Sequence, residues 1–455
     1  MTKQLFDIFP EVSAAQWKQK IQYDLKGDDY NNTLIWTSNE GINVKPFYHP
    51  DDFSSINQDG ASTHKKWNIN QTIYAGNSQM ANKKALEAIE KGAESIKFLI
   101  ADNSININQL LKNIDLTKTI VYLDCLFLSP DYIKAISKNN LDSLIITADI
   151  IQNLCKTGNW YKDYTFDQAN FIEIIKATNT ITINSSLYQN AGANMVQELA
   201  YSLAHAYEYL NLLNNEFNES QKQTLKVVFE ISVGSNYFFE IAKIKALRIL
   251  WKSLAEEFSV NSDCIIFVTP SNRNKTIYDY NINMLRTTTE CMSAILGGAN
   301  TICNSPYDAI YHKDNDFGER IARNQLLILK HESYFDKVTN AADGTYYIEN
   351  LINQLCEKAL NLFKDIEANG GFLSQLKSGT IQRKIKESAQ LEQAQFNKGE
   401  LILLGTNRHP NPEDKMKHEL ELFPFVKRNP RKTLIEPIIE KRLAEETEQN
   451  RLNNE

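Results

Sequence analysis

Val227-Val228-Phe229-Glu230-Ile231-Ser232-Val233 reads as a buried strand, because apolar and β-branched residues dominate it, with Glu230 and Ser232 as its polar positions. Such runs belong to parallel strands buried on both sides. Similar runs occur at 96–100, 119–125, 143–148, 180–185, 264–269 and 301–304, with a weaker eighth at 335–339. Helical spacing fills the gaps: Met195, Leu199, Leu203, Ala206 and Leu210 form one stripe. Eight unbroken β–α repeats predict an α/β protein built on a (β/α)8 barrel rather than an open doubly wound sheet. No strand is followed by the glycine pattern of a dinucleotide fold.

Working outward, the expected organisation is an N-terminal arm over 1–50, the barrel over 51–365, and a helical extension with a linker over 366–455. The arm opens with Leu5, Phe6, Ile8 and Phe9, too apolar for a solvated tail. Ser13 and Gln16 have capping-box spacing, and Val12 with Trp17 has the spacing of a hydrophobic staple. Trp17, Ile21 and Leu25 continue one face of that helix. An apolar arm ahead of a complete barrel needs a surface, either on the same chain or on a partner subunit. Leu5, Phe6, Ile8, Phe9 and Trp17 are therefore the candidate partner contacts, each apolar Å² contributing about 25 cal/mol before ordering costs. In the extension, 381–398 reads as a charged helix, 403–407 as a strand ending in a turn, and 438–455 as a solvated terminal helix.

Apolar residues make up 42% of the 455, enough for a sizeable core. A formal charge of −7 argues against nucleic acid or an anionic membrane as partner. The start of the chain lacks a signal-peptide pattern and no apolar run reaches spanning length, so a cytoplasmic protein is expected. The six cysteines show no metal or redox spacing and are expected as buried thiols. The seven histidines are scattered, so no metal site is predicted. His205 sits within a helix. His312 follows the 301–304 run, on the face where barrels keep their sites. Asn304 and Ser305 leave that strand directly into the mouth. Arg286, Arg320 and Arg323 suit phosphate or carboxylate, the latter two reading first as helix-surface ion-pair partners.

Several segments share a pattern. They are Arg286-Thr287-Thr288-Thr289-Glu290, Ala294-Ile295-Leu296-Gly297-Gly298-Ala299-Asn300, Asn304-Ser305-Pro306, Arg320-Ile321-Ala322-Arg323-Asn324 and Asp343-Gly344-Thr345-Tyr346-Tyr347-Ile348-Glu349, with Tyr74-Ala75-Gly76 and Gln197-Glu198-Leu199-Ala200 upstream. In this order they resemble the barrel domain of adenosylcobalamin-dependent acyl-CoA mutases, above all methylmalonyl-CoA mutase. Phe9-Pro10, Trp17 and Asp24-Leu25-Lys26-Gly27 are similar to the small subunit of the heterodimeric members. The resemblance implies a barrel that encloses the pantetheine chain of an acyl-CoA, with cobalamin on a separate C-terminal domain carrying Asp-x-His-x-x-Gly. That motif is absent from this sequence, so the expectation is either a subunit with no cobalamin domain or a sequence truncated before one. The stretch 60–66 lacks the tyrosine of active members. Where they carry Arg-x-His-x-Gln, this chain reads Pro270-Ser271-Asn272-Arg273-Asn274-Lys275. The imidazole that polarises the thioester carbonyl is missing, and Arg273 and Lys275 are expected there as flexible cations.

The resemblance thus implies no catalytic residue and a degenerate acyl-CoA pocket near Arg286, Asn304, Ser305 and His312. It implies adenosylcobalamin and acyl-CoA held by a large catalytic partner subunit, with none bound by this chain alone. Related isobutyryl- or ethylmalonyl-CoA mutases, or a stand-alone acyl-CoA-binding barrel, remain open at this point.

Overall fold

The computed structural model describes residues 10–53, 66–137, 142–427 and 430–455. Eight parallel strands make one sheet: β1 (Asn68–Ala75), β2 (Ser95–Ile100), β3 (Ile120–Cys125), β4 (Leu144–Thr147), β5 (Thr180–Asn184), β6 (Lys226–Val233), β7 (Ile265–Pro270) and β8 (Thr301–Cys303). Their order is β4-β3-β2-β1-β8-β7-β6-β5, so β1 pairs with β8 through Asn70 and Cys303 while β4 and β5 form the two ends. With helices following the strands, this is the predicted (β/α)8 barrel.

Seven of the expected runs are strands, but the eighth is not where the sequence placed it. Residues 335–339 form a turn, and the missing strand is β1, at the start of the barrel. The reason is chemical. Ile69, Ile73 and Ala75 join the core between strands and helices, while Asn70 bonds Ser95 at 3.0 Å and Thr72 bonds Cys303 at 3.3 Å. A strand whose inner face is polar shows no continuous apolar run, so it escapes the signal that finds the others. In β3 the run is apolar on both faces over Val121–Leu123: Val121 and Leu123 join the outer core, and Tyr122 joins a second cluster with Val228, Phe267 and Cys303.

At the β4–β5 seam, side chains do the joining. Asp149, just after β4, accepts the Asn184 amide of β5 at 2.8 Å through Oδ2. Its Oδ1 caps the helix Ile150–Thr157 by accepting from Gln152 N at 2.7 Å, accepts the Tyr209 hydroxyl at 2.6 Å, and lies 3.0 Å from His205 Nε2. Tyr209 and His205 come from the helix Met195–Leu213, which buries the predicted stripe and begins with a capping box between Asn194 and Gln197.

At the N-terminus, Ser13 and Gln16 form the expected capping box. Trp17 stacks on Phe47 at 4.5 Å between ring centroids, yet stays 46% exposed. Leu5, Phe6, Ile8 and Phe9 lie outside the described residues.

The C-terminal extension departs from expectation in two places. Residues 403–407 are a turn closed by a single bridge between Leu404 and Arg408, where Asn407 Oδ1 takes the Leu403 amide at 2.8 Å. The terminal helix spans only Glu445–Asn454 and is solvated on one side alone, with Glu445 and Glu448 buried. Glu448 is buried, pairs with Arg442 at 2.7 Å and accepts the Ile277 amide at 2.8 Å. Ahead of it the chain crosses the C-terminal face of the barrel. Leu434 N and Ile435 N donate to Gly158 O, Ile438 N to Cys155 O, Lys441 N to Asn190 O, and Leu443 N to Arg273 O. Gly158 permits that approach: its φ is +78°, and a Cβ there would meet Ile435 O at 2.7 Å.

Candidate functional site: the barrel mouth and axis

The C-terminal ends of the strands enclose a cavity of about 470 Å³, with Thr72 and Tyr74 of β1, Leu99 of β2, Thr269 and Pro270 of β7, and Cys303, Asn304 and Ser305 around it. This is the face on which barrels carry their sites. Asn304 and Ser305, singled out in the sequence, line it. Asn304 is held by its amide nitrogen, which donates to Ala322 O at 3.0 Å and Gln325 Oε1 at 2.9 Å.

Arg286 and His312 are placed elsewhere. The Arg286 guanidinium donates to Thr276 Oγ1 (2.9 Å), Asn283 Oδ1 (2.8 Å) and Leu404 O (2.6 Å), tying the helix Ile282–Gly297 to the C-terminal extension. His312 Nδ1 lies 3.2 Å from Asp308 Oδ2. Arg323 belongs to the cavity wall, but is engaged by Gln71 Oε1 at 2.6 Å and Lys91 O at 3.1 Å. Arg320 is exposed.

Below the mouth the barrel axis is filled. Lys97 of β2 reaches across to Glu230 of β6 at 2.7 Å and to Asp124 of β3 at 3.1 Å. Asn184 Nδ2 adds a bond to Glu230 at 2.9 Å. Burial alone would depress the Lys97 ammonium, but the two carboxylates outweigh it and hold its pKa above the ordinary range. Burial pushes the Glu230 carboxyl upward against the pull of Lys97. Tyr122 of β3 and Thr301 of β8 bond across the ring at 2.9 Å, with Phe267 edge-on to Tyr122 at 5.1 Å. Burial raises the Tyr122 phenol to about 12.

None of these axis residues was picked from the sequence. The signal was present: Lys97, Asp124 and Glu230 are single charges inside otherwise apolar strand runs, and an unpaired charge is not tolerated there. What the sequence did not show is that the three meet.

The loop after β7 also differs from expectation. Arg273 and Lys275 are buried and clamped rather than flexible. Arg273 pairs with Glu392 and donates to Lys441 O at 2.8 Å. Lys275 pairs with Glu290 at 2.7 Å. Each buried cation takes an acid from a flanking helix, as desolvation requires.

The sequence of this chain matches the methylmalonyl-CoA mutase family profile over residues 99–453. The chain belongs to the methylmalonyl-CoA mutase family. It is 34% identical over 442 residues to the methylmalonyl-CoA mutase small subunit of Porphyromonas gingivalis, covering 90% of this chain and 71% of that relative. It is 25% identical over 461 residues to the methylmalonyl-CoA mutase of Rhizobium meliloti, covering 88% and 64%. It is 25% identical over 456 residues to the probable methylmalonyl-CoA mutase large subunit of Mycobacterium bovis, covering 86% and 60%. The chain therefore spans roughly two thirds of the length of these relatives.

The mutase family depends in general on adenosylcobalamin. Among the described residues no histidine lines the mouth cavity, and residues 434–443 of the chain itself cross the face above it. Among the described residues there is no group of three or more His, Cys, Asp and Glu able to hold a metal ion, and no helix is long and apolar enough to cross a membrane. Five cysteines are buried and Cys356 is half-buried; all six are free.

Proposed function

We propose that this chain is the small, non-catalytic subunit of a heterodimeric methylmalonyl-CoA mutase, whose large partner holds adenosylcobalamin and the acyl-CoA and interconverts methylmalonyl-CoA and succinyl-CoA. The observation that carries this is the filled axis. The family resemblance implies a barrel whose axis encloses a pantetheine chain. Here Lys97, Glu230, Asp124, Tyr122 and Phe267 bond or stack across that space. The loop after β7 supports the reading, since it offers no imidazole and turns its two cations into the protein body. So does the higher identity to a named small subunit than to a named large one.

The partner surface includes the arm with Leu5, Phe6, Ile8, Phe9 and Trp17. Trp17 remains 46% exposed after stacking on Phe47, which leaves apolar area for a second chain.

The test is co-expression with a cobalamin-bearing large subunit. The two are expected to elute as a 1:1 complex with mutase activity. The lone chain should stay colourless after gel filtration with adenosylcobalamin and form no succinyl-CoA. Deleting residues 1–27 should weaken assembly while leaving the barrel's circular dichroism intact. Cobalamin eluting stoichiometrically with the lone chain, or turnover by it, refutes the proposal. Activity of the complex on isobutyryl- or ethylmalonyl-CoA alone assigns it to a related mutase. Tight acyl-CoA binding without any partner makes it a stand-alone acyl-CoA-binding barrel.

A further inference from the structure

We propose that the corner between the helices Tyr346–Ala368 and Phe372–Lys377 is a pH-sensitive latch, fastened to the barrel while Glu367 carries a proton and loosened when Glu367 and Glu208 are both ionised. The device does not depend on whether the chain assembles with a partner.

The corner is built on two glycines. Gly370 and Gly371 follow the long helix with φ of +98° and +85°, a conformation that other residues rarely adopt. Phe372 comes next and is fully buried, with the rings of Tyr188, Tyr201 and His205 each 6.0 Å from its own. Further on, Gln382 Nε2 donates to Leu376 O and to Glu436 O, both at 3.0 Å. The corner therefore lies between the outer helices of the barrel and the segment that crosses its mouth.

Two acids converge there. A Cβ on Gly371 would meet Glu208 Oε1 at 3.3 Å and Glu367 Oε2 at 3.6 Å. Glu208, from the helix Met195–Leu213, accepts the Leu373 amide at 2.9 Å and so holds the first turn of the short helix. Glu367 sits in the last turn of a 23-residue helix, where the macrodipole disfavours a negative charge. Its Oε1 is buried without a donor among the described residues. The nearby cations do not offset the pair. Lys377 lies over the Tyr164 ring at 5.7 Å, and Tyr164 in turn faces Glu208. Lys364, one turn before Glu367, is exposed and does not act on it.

Burial, with the Glu208 charge behind it, pushes the Glu367 carboxyl from 4.5 up to about 7. The fastened corner thus holds a proton that an opened corner releases above about pH 4.5. Fastening weakens as the pH rises toward 7 and levels off beyond it.

Hydrogen exchange of the full chain, followed by mass spectrometry and corrected for the intrinsic change of rate with pH, tests this. In peptides covering residues 364–378 the protection should fall roughly tenfold between pH 6 and pH 8. Peptides from β1 and β8 should not follow. Glu367→Gln should keep the corner protected at both pH values. Glu208→Gln retains an acceptor for the Leu373 amide and should shrink the change, because one of the two like charges is gone. Corner protection that is constant between the two pH values, a full change persisting in Glu367→Gln, or an equal change in every peptide overturns the proposal.

Discussion

Replacing Asp149 with alanine should open the barrel at one seam. The carboxylate is the acceptor for two backbone amides, Gln152 N and Asn184 N, and for the Tyr209 hydroxyl, with His205 Nε2 facing it at 3.0 Å. Tyr209 and His205 are fully buried, so neither can turn to water when the acid is removed. A stranded buried donor costs about 1–3 kcal/mol, and a lost N-cap about 1 kcal/mol. Because the four groups share one carboxylate, the losses do not add in full; about 4 kcal/mol is the expected total. With an unfolding entropy of roughly 2 cal/mol/K per residue, a chain of 455 residues falls by about 1 °C for each kcal/mol, hence about 4 °C here.

The location of the damage is the sharper test. Hydrogen exchange followed by mass spectrometry should show faster exchange in peptides covering β4, β5 and the start of the helix Ile150–Thr157. Peptides from β1 and β8, on the far side of the ring, should be unchanged. Asp149→Asn keeps one acceptor oxygen and should lose about half as much. If the alanine variant unfolds within about 1 kcal/mol of the parent and the Asn184 peptide keeps its protection, the seam is held by something else.

Two further outcomes follow from buried charge. Burial pushes the Glu198 carboxyl up to about 7, against the pull of Lys243 and with the help of Glu240. The folded state therefore holds a proton that the unfolded state releases above about pH 4.5, so this group's contribution falls by about 3 kcal/mol as pH rises to 7. Glu198→Gln should remove that fall from the pH profile of urea stability; an unchanged slope refutes the assignment. Lys97→Met leaves Glu230 and Asp124 facing each other without a cation, and should cost about 3–5 kcal/mol at pH 7 and less at pH 5, where the acids can protonate. An equal loss at both pH values would show that packing, not charge, is what Lys97 supplies.

How much of this could be read from the chain depends on which face of a strand carried the information. A strand such as β7 is apolar on both faces over Ile265–Val268, so its hydrophobic run stands out, and seven of eight were legible. β1 was not, because Asn70 and Thr72 turn polar groups inward and break the run. Asn304 and Ser305 were legible as mouth residues because the position just after a barrel strand has only one destination. Arg286 was not, because a long side chain on a helix can reach either the mouth or the outer wall, and here it reaches Leu404. The terminal helix misled for a similar reason. Glu445 and Glu448 look like solvent-facing acids until the Val426 and Ile277 amides, distant in sequence, are brought to them.

The residues that cross the axis and those that close the seam share a physical role. Lys97 joins β2 to β6, Tyr122 joins β3 to β8, and Asp149 joins β4 to β5, so each bond ties strands that no ladder connects. A barrel that must admit a chain along its axis has to keep that space clear, and then only the ladder and the outer helices hold the ring. Once passage is not required, side chains can brace the ring from within. Such braces suit a subunit whose proposed task is to present a fixed surface to a partner. The buried acids and lysine set the cost of the arrangement, since each is tolerated only while its partner is present. That dependence explains why these charges come as a connected set rather than singly, and why loss of any one member should be felt at the strands it joins.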